Sequence, residues 1–202
     1  AFVDGELDFA VGRTYGGDSS CVQLDAGDAH YVLCDLGSGV RAFGNHALAT
    51  RRGQPGTYHI FMSHTHWDHI VGFPFFMPAY IPGNEITIYG CHAALEDAIR
   101  RQHGAPSFPV EFSQLGAEIR FVRLEPGRPY DLPGFRVTGK RQRHSGGSYR
   151  YRFHRDGAAS GFLETKRGSG AESGESFGER VGGDTGVDQR SEDSHVGGGL
   201  TL

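Results

Sequence analysis

A chain of 202 residues is long enough for one domain with a full hydrophobic core and too short for two large ones. Its formal net charge of -4, from 20 Lys and Arg against 24 Asp and Glu, excludes a protein that holds nucleic acid by overall charge; a polyanionic substrate would need local help from a metal or an arginine cluster. Three widely spaced cysteines, Cys21, Cys34 and Cys91, argue against a disulfide framework and fit a reducing compartment, so a cytoplasmic setting is expected. No segment reaches the roughly 18 apolar residues of a membrane span, and "AFVDGELDFAVGR" lacks the basic and then apolar run of a signal peptide.

In chain order, "SCVQL" (20–24) and "HYVLCD" (30–35) read as two strands of a hairpin about the turn-forming "DAGDA". A Gly-rich turn, "LGSGVRAFGN", leads to a short helix in "HALATRRG", ended by Gly53. The apolar "YHIFMS" is a strand, and the proline- and aromatic-rich "VGFPFFMPAYIPGN" suits an ordered loop with short helical pieces. "EITIYG" is the next strand, and "HAALEDAIRRQ" carries Ala94, Leu95, Ala98 and Ile99 on one helical stripe. "EIRFVRL", "GFRVTGKRQRH" and "SYRYRFHRDG" alternate as strands do, the last with Tyr149, Tyr151 and Phe153 on one side and arginines on the other.

The order of strands, helix and strands predicts an α/β sheet protein over residues 1–156. From 157 to 202 the composition turns to Gly, Ser, Glu, Asp and Arg with few large apolar residues, the signature of a low-complexity, disordered tail. Its onset within a hairpin that has found no partner strand is the mark of a fragment or a non-native end.

The informative stretch is "SHTHWDHI" (63–70), which sets His64, His66, Asp68 and His69 within six positions just past a strand. Imidazole and carboxylate are the ligands that zinc and similar ions accept, and side chains on a turn beyond a strand end can converge on one point. A solvated polar loop is the bland alternative, and the pattern H-x-H-x-D-H is too specific to favour it.

That pattern after an apolar strand resembles the signature of metallo-β-lactamase fold hydrolases. "YGGDSSCVQL" (15–24), "CDLGSG" (34–39), "HTHWDHIVGFPFFMPAYIPGN" (64–84) and "RHSGGSYRYRF" (143–153) are similar to the branch that includes ribonuclease Z-like and cyclic-nucleotide phosphodiesterase-like proteins. The resemblance implies an αββα sandwich, here incomplete at both ends, with two metal ions in a crevice at its edge. It implies that His64, His66 and His144 hold one ion, that Asp68 and His69 reach the second, and that Asp35 braces the metal-binding loop from behind its ligands. Zinc is the expected metal, with manganese or iron also suited to such ligands.

The resemblance further implies a hydrolase that uses a metal-activated water, with Asp68 as the candidate general base and a phosphodiester in a cyclic nucleotide or RNA as the substrate. Hydrolysis of a thioester, lactone or β-lactam, or a catalytically impaired metal-binding fragment, are the alternatives. The family's bridging aspartate and last histidine find only weak counterparts, in Asp184, Asp193 and His195 of the tail. Asp35 also reads as a turn cap, and His144 as a surface histidine. Trp67, Phe73, Phe75 and Phe76 read first as core and second as a substrate wall, and Arg141 and Arg143 either touch a phosphate or form a solvated face. His30, His46, His59, His92, His103 and His154 have no ligand spacing. No membrane partner is expected; a homodimer is compatible with the chain.

Overall fold

The computed structural model describes residues 17–24 and 30–155 and the backbone of a strand at Ala158–Phe162. Its first sheet has five strands in sequence order, β1 (Val22–Leu24), β2 (His30–Cys34), β3 (Thr57–Met62), β4 (Glu85–Gly90) and β5 (Glu118–Arg123). β1 runs antiparallel to β2, forming the expected hairpin, and β2 to β5 are parallel. The crossovers carry the helices α1 (Gly39–Arg51), α2 (Trp67–Ile70) and α3 (Leu95–Arg100), with 3-10 turns at Phe73–Phe75, Met77–Tyr80 and Phe112–Gln114. The second sheet is an antiparallel run of β6 (Pro129–Leu132), β7 (Phe135–Gln142), β8 (Ser148–Arg155) and β9 (Ala158–Phe162).

The two-residue repeat of a strand explains the layering. Along β3, Tyr58, Ile60 and Met62 point to a core shared with Val40 of α1, Phe73 and Phe76. The intervening Phe61 points to the second sheet, where it meets Tyr151 and Phe153 of β8 and stacks on Tyr89 with ring centroids 4.7 Å apart. β3 is thus buried on both faces from Tyr58 to Met62, as a central parallel strand must be, with the one imidazole of that span, His59, within hydrogen-bond distance of the Tyr89 hydroxyl at 3.1 Å.

Two expectations need correction, and the structure adds one strand. The helix read in "HALATRRG" begins seven residues earlier, at Gly39, so "GVRAFGN" is its first half and not a turn. Each glycine costs a helix about 1 kcal/mol relative to alanine. Packing explains the tolerance at Gly44, where a Cβ would come within 2.9 Å of Phe76 and Pro78. At the start of the helix, Ser38 N–H donates to Ser19 Oγ and Ser19 N–H to Ser38 Oγ. β6 was not foreseen; it pairs with β7 across Pro133 and Gly134, whose positive φ of 80° suits a tight turn. Finally, β8 has a partner. The backbone of Ala158–Phe162 pairs with it, because a strand of small residues needs only its amides and carbonyls to extend a sheet. The rest of the tail, with Asp184, Asp193 and His195, lies outside the described residues.

All three cysteines are free. Burial pushes the Cys21 thiol up to about 12 and Cys34 well above the ordinary thiol range, with the Asp35 charge adding to both, so these are inert groups. Among the described residues no helix is long and apolar enough to cross a membrane.

Two hydrogen bonds stitch the second sheet to the end of β3: Tyr149 N–H donates to the Ser63 carbonyl at 2.9 Å, and the buried Tyr151 hydroxyl donates to the Met62 carbonyl at 2.8 Å. Replacing Tyr151 by Phe removes the second at almost constant volume. We expect a loss of about 1 kcal/mol, read as a lower urea midpoint at unchanged slope; an unchanged midpoint would show that the stitch adds nothing.

Candidate metal centre

The polar side chains of the motif gather at the carboxyl ends of the parallel strands. Asp35 follows β2, Ser63 and His64 follow β3, and His92 lies just beyond β4, where open α/β sheets present their ligand crevices. The loop after β3 turns at once into α2, so that His66, Asp68 and His69 fold back over the strand ends. His144 comes from the opposite sheet, in the turn between β7 and β8.

Asp35 organises the floor. It is 1% exposed and holds a left-handed backbone, φ 63°, a conformation that Asp and Asn adopt far more readily than most residues. Its Oδ1 accepts the Ser63 N–H at 2.7 Å; its Oδ2 accepts the Ser63 hydroxyl at 2.8 Å and faces His69 Nδ1 at 2.7 Å. An ionised carboxylate can only accept, so His69 carries a proton on Nδ1, and in the neutral ring Nε2 keeps its lone pair. That Nε2 lies 3.6 Å from Asp68 Oδ2. The single Ser63 hydroxyl proton is committed to Asp35, so Ser63 Oγ accepts from His64 Nδ1, 2.9 Å away, which leaves Nε2 as the lone pair of His64.

Above this floor the imidazoles crowd together. His64, His66 and His144 each offer a ring nitrogen, and these atoms lie within 4.8 Å of one another. Ring centroids are 4.5 Å apart for His64 and His66, 4.7 Å for His64 and His144, and 4.0 Å for His64 and His69. Burial, then the neighbouring His69, His66 and His144, pushes His64 down to about 3 against the opposing pull of Asp68, so it is neutral and able to donate a lone pair at pH 7. His144 Nε2 stands 3.4 Å from His66 Nδ1. Two nitrogens each about 2.0 to 2.1 Å from a tetrahedral zinc would be roughly 3.4 Å apart, so this pair fits a shared ion.

Backbone contacts hold the loop tightly to the sheet. Leu36 N–H donates to the His69 carbonyl and Gly72 N–H to the Leu36 carbonyl. At Gly72 a Cβ would fall 2.1 Å from the Gly37 carbonyl oxygen, so glycine is required there for the two segments to touch.

The structure brings together all five of the sequence-predicted ligands and Asp35. It separates the aromatic group: Phe73 and Phe76 are buried in the core, whereas Trp67 and Phe75 are 69% and 51% exposed, so only these two can face a substrate. Arg141 and Arg143 are exposed beside His144. Sequence reading passed over two residues. Ser63 links Asp35 to His64, a role no spacing rule signals. His92, read as ordinary, packs edge-on against Tyr149 at 5.0 Å beside the turn that carries His144. Burial chiefly holds its ring below the ordinary imidazole range, with Arg141 and His66 adding to that and the Gly147 backbone opposing.

Asp35→Asn tests the floor without disturbing the backbone, since Asn also accepts a positive φ. We expect circular dichroism to remain native while zinc affinity, measured by competition with a chromogenic chelator, falls about 10- to 100-fold. An unchanged affinity would mean that Asp35 is only a turn cap.

Comparison with known proteins agrees with this geometry. A family model described as a β-lactamase superfamily domain matches residues 30–171. The metallo-β-lactamase fold protein YhfI from Bacillus subtilis is similar in structure, with 16% identity and a TM-score of 0.50 over 70% of this chain and 52% of that one. The MIM-2 metallo-β-lactamase follows with 21% identity and a TM-score of 0.46 over 70% and 53%, and human tRNase Z, short form, with 21% and 0.46 over 68% and 57%. At these identities the likeness is one of fold, and the chain spans about half the length of these structures. No curated protein matches its sequence. The matched family model and the layered sheets together establish that the chain belongs to the β-lactamase superfamily domain family, with a metallo-β-lactamase fold that implies divalent metal binding.

Proposed function

We propose that this chain is a metal-dependent hydrolase of phosphodiester bonds, with a cyclic nucleotide or RNA as substrate and two zinc ions as cofactor. The observation that carries this reading is the convergence of His64 and His66 from one sheet with His144 from the other, their ring nitrogens within 4.8 Å. His64, His66 and His144 would hold one ion, and Asp68 and His69 the other, with Asp35 and Ser63 fixing which ring nitrogen each buried histidine offers. When bound, such a metal pair supplies Lewis acidity and a water whose pKa is lowered toward neutrality.

The chain's own groups have distinct tasks. Asp68 is 40% exposed and its Oδ2 faces His69 Nε2, which makes it the candidate acceptor of the attacking water's proton. Trp67, between two candidate ligands in sequence and largely exposed, offers a flat apolar face on which a nucleobase can stack. Arg141 and Arg143 put positive charge next to His144, where a phosphoryl group would carry negative charge. Those cations favour a phosphodiester over the thioester, lactone or β-lactam that the same ligands could serve. Three free thiols fit action in the cytoplasm.

Zinc-loaded protein should hydrolyse bis-p-nitrophenyl phosphate in preference to nitrocefin or an acyl thioester. Asp68→Asn should lower kcat on the diester by about 10²- to 10⁴-fold. Faster turnover of nitrocefin or the thioester would overturn the phosphodiester reading, and an Asp68→Asn variant with full kcat would overturn the proton-accepting role.

A further inference from the structure

Of the candidate ligands, His144 has the least support from its own surroundings. His64 and His69 are buried and face Ser63 and Asp35, whereas His144 is exposed on a turn that passes through Gly146 and Gly147 at positive φ. Glycine loses more conformational freedom on ordering than any other residue, so keeping this turn in one place carries an entropic cost that some contact must offset.

His92 is placed to make that contact. It lies two residues past the end of β4, on the parallel sheet and outside both the β7–β8 turn and the loop of His64 to His69. Its carbonyl accepts the Leu95 N–H at 3.3 Å, which ties its backbone to the start of α3. Its ring reaches the β7–β8 turn at two points. It packs edge-on against Tyr149, and the Tyr149 N–H in turn donates to the carbonyl of Ser63, the residue before His64. It also hydrogen-bonds to the Gly147 backbone, and its Cε1 stands 3.6 Å from the point where a Cβ on Gly147 would lie. That bond favours a protonated ring nitrogen, so the imidazole donates and the Gly147 carbonyl accepts. Nε2 is buried and, among the described residues, has no hydrogen-bond partner, which leaves Nδ1–H as the donor. The Gly147 N–H donates to the His144 carbonyl at 3.0 Å, so a single residue joins His92 to His144.

Packing alone gives no reason for an imidazole here. A phenylalanine would cover Tyr149 without burying a polar nitrogen that finds no partner, a burial that costs stability. The nitrogen that is satisfied is the one aimed at the turn.

We infer that His92 is a positioning residue for the metal centre: from the end of β4 it pins the Gly147 carbonyl and so holds His144 against His66. This rests on the metal-centre reading and deepens it, adding a residue that touches no ion but sets where one ligand stands.

Two variants separate the bond from the ring. His92→Phe keeps an aromatic ring against Tyr149 and loses the donor; His92→Asn loses the ring and keeps a donor, its amide Nδ2 falling where Nδ1 stands. In the full chain, competition with a chromogenic chelator should show zinc affinity at least about 10-fold weaker for His92→Phe and within about 3-fold of native for His92→Asn. The urea midpoints should run the other way, with His92→Phe above His92→Asn, whereas a packing role would make affinity follow the midpoint. In EDTA the Gly147 amide should exchange with deuterium at least about 10-fold faster in His92→Phe than in the native protein. Native zinc affinity in His92→Phe, an unchanged Gly147 exchange rate, or affinity lost equally in both variants would each overturn the inference. Native protein that binds no zinc, with the Gly147 amide still loosened in His92→Phe, would support the tether and refute the metal-centre reading, so the two fail separately.

Discussion

A single buried carboxylate sets the geometry of the site. Asp35, at the end of β2, is removed from water, and a carboxylate in that position is costly unless its lone pairs are met. They are met by the Ser63 backbone and hydroxyl and by His69. The same bonds fix the start of the loop after β3 and decide which nitrogens His64 and His69 turn outward. Stability and ligand orientation therefore draw on one set of contacts.

What Asp35 does from below, the contact between the sheets does from the side. The ring of Phe61 lies between Tyr89, Tyr151 and Phe153, and Tyr149 and Tyr151 bond to the backbone at the end of β3. These contacts carry the β7–β8 turn to a place where His144 meets His66. That turn takes positive φ at Gly146 and Gly147, both near 80°, a conformation that only glycine adopts without cost. A histidine 78 residues from its partner thus becomes a neighbour through apolar packing that has no chemistry of its own.

The sequence discloses chemistry more readily than the structure that supports it. The H-x-H-x-D-H run and the strands β2, β3 and β4 are legible because ligand spacing and unbroken apolar runs are local signals. His144 is legible only by family resemblance, since its link to His66 is long-range. Two glycines in the first half of helix α1 suggest a turn in the sequence, and only the fold explains their place, Gly44 against Phe76 and Pro78 and Gly39 against Ser19 and Cys21. Ser63 carried no signal. Its role exists only once Asp35, 28 residues away, is folded against it. The division of the phenylalanines also needed the fold, because "FPFF" on successive 3-10 turns sends Phe73 and Phe76 inward and Phe75 outward.

The claim at the centre of this account is that three histidines from two sheets form one metal site. The direct measurement is zinc content per chain by elemental analysis after dialysis, for the native protein and for His144→Ala. The account predicts bound zinc in the native protein, two ions where the Asp68 and His69 position fills as well, and a loss of at least one ion in the variant. Metal-free native protein, or a variant that keeps its full complement, would contradict it.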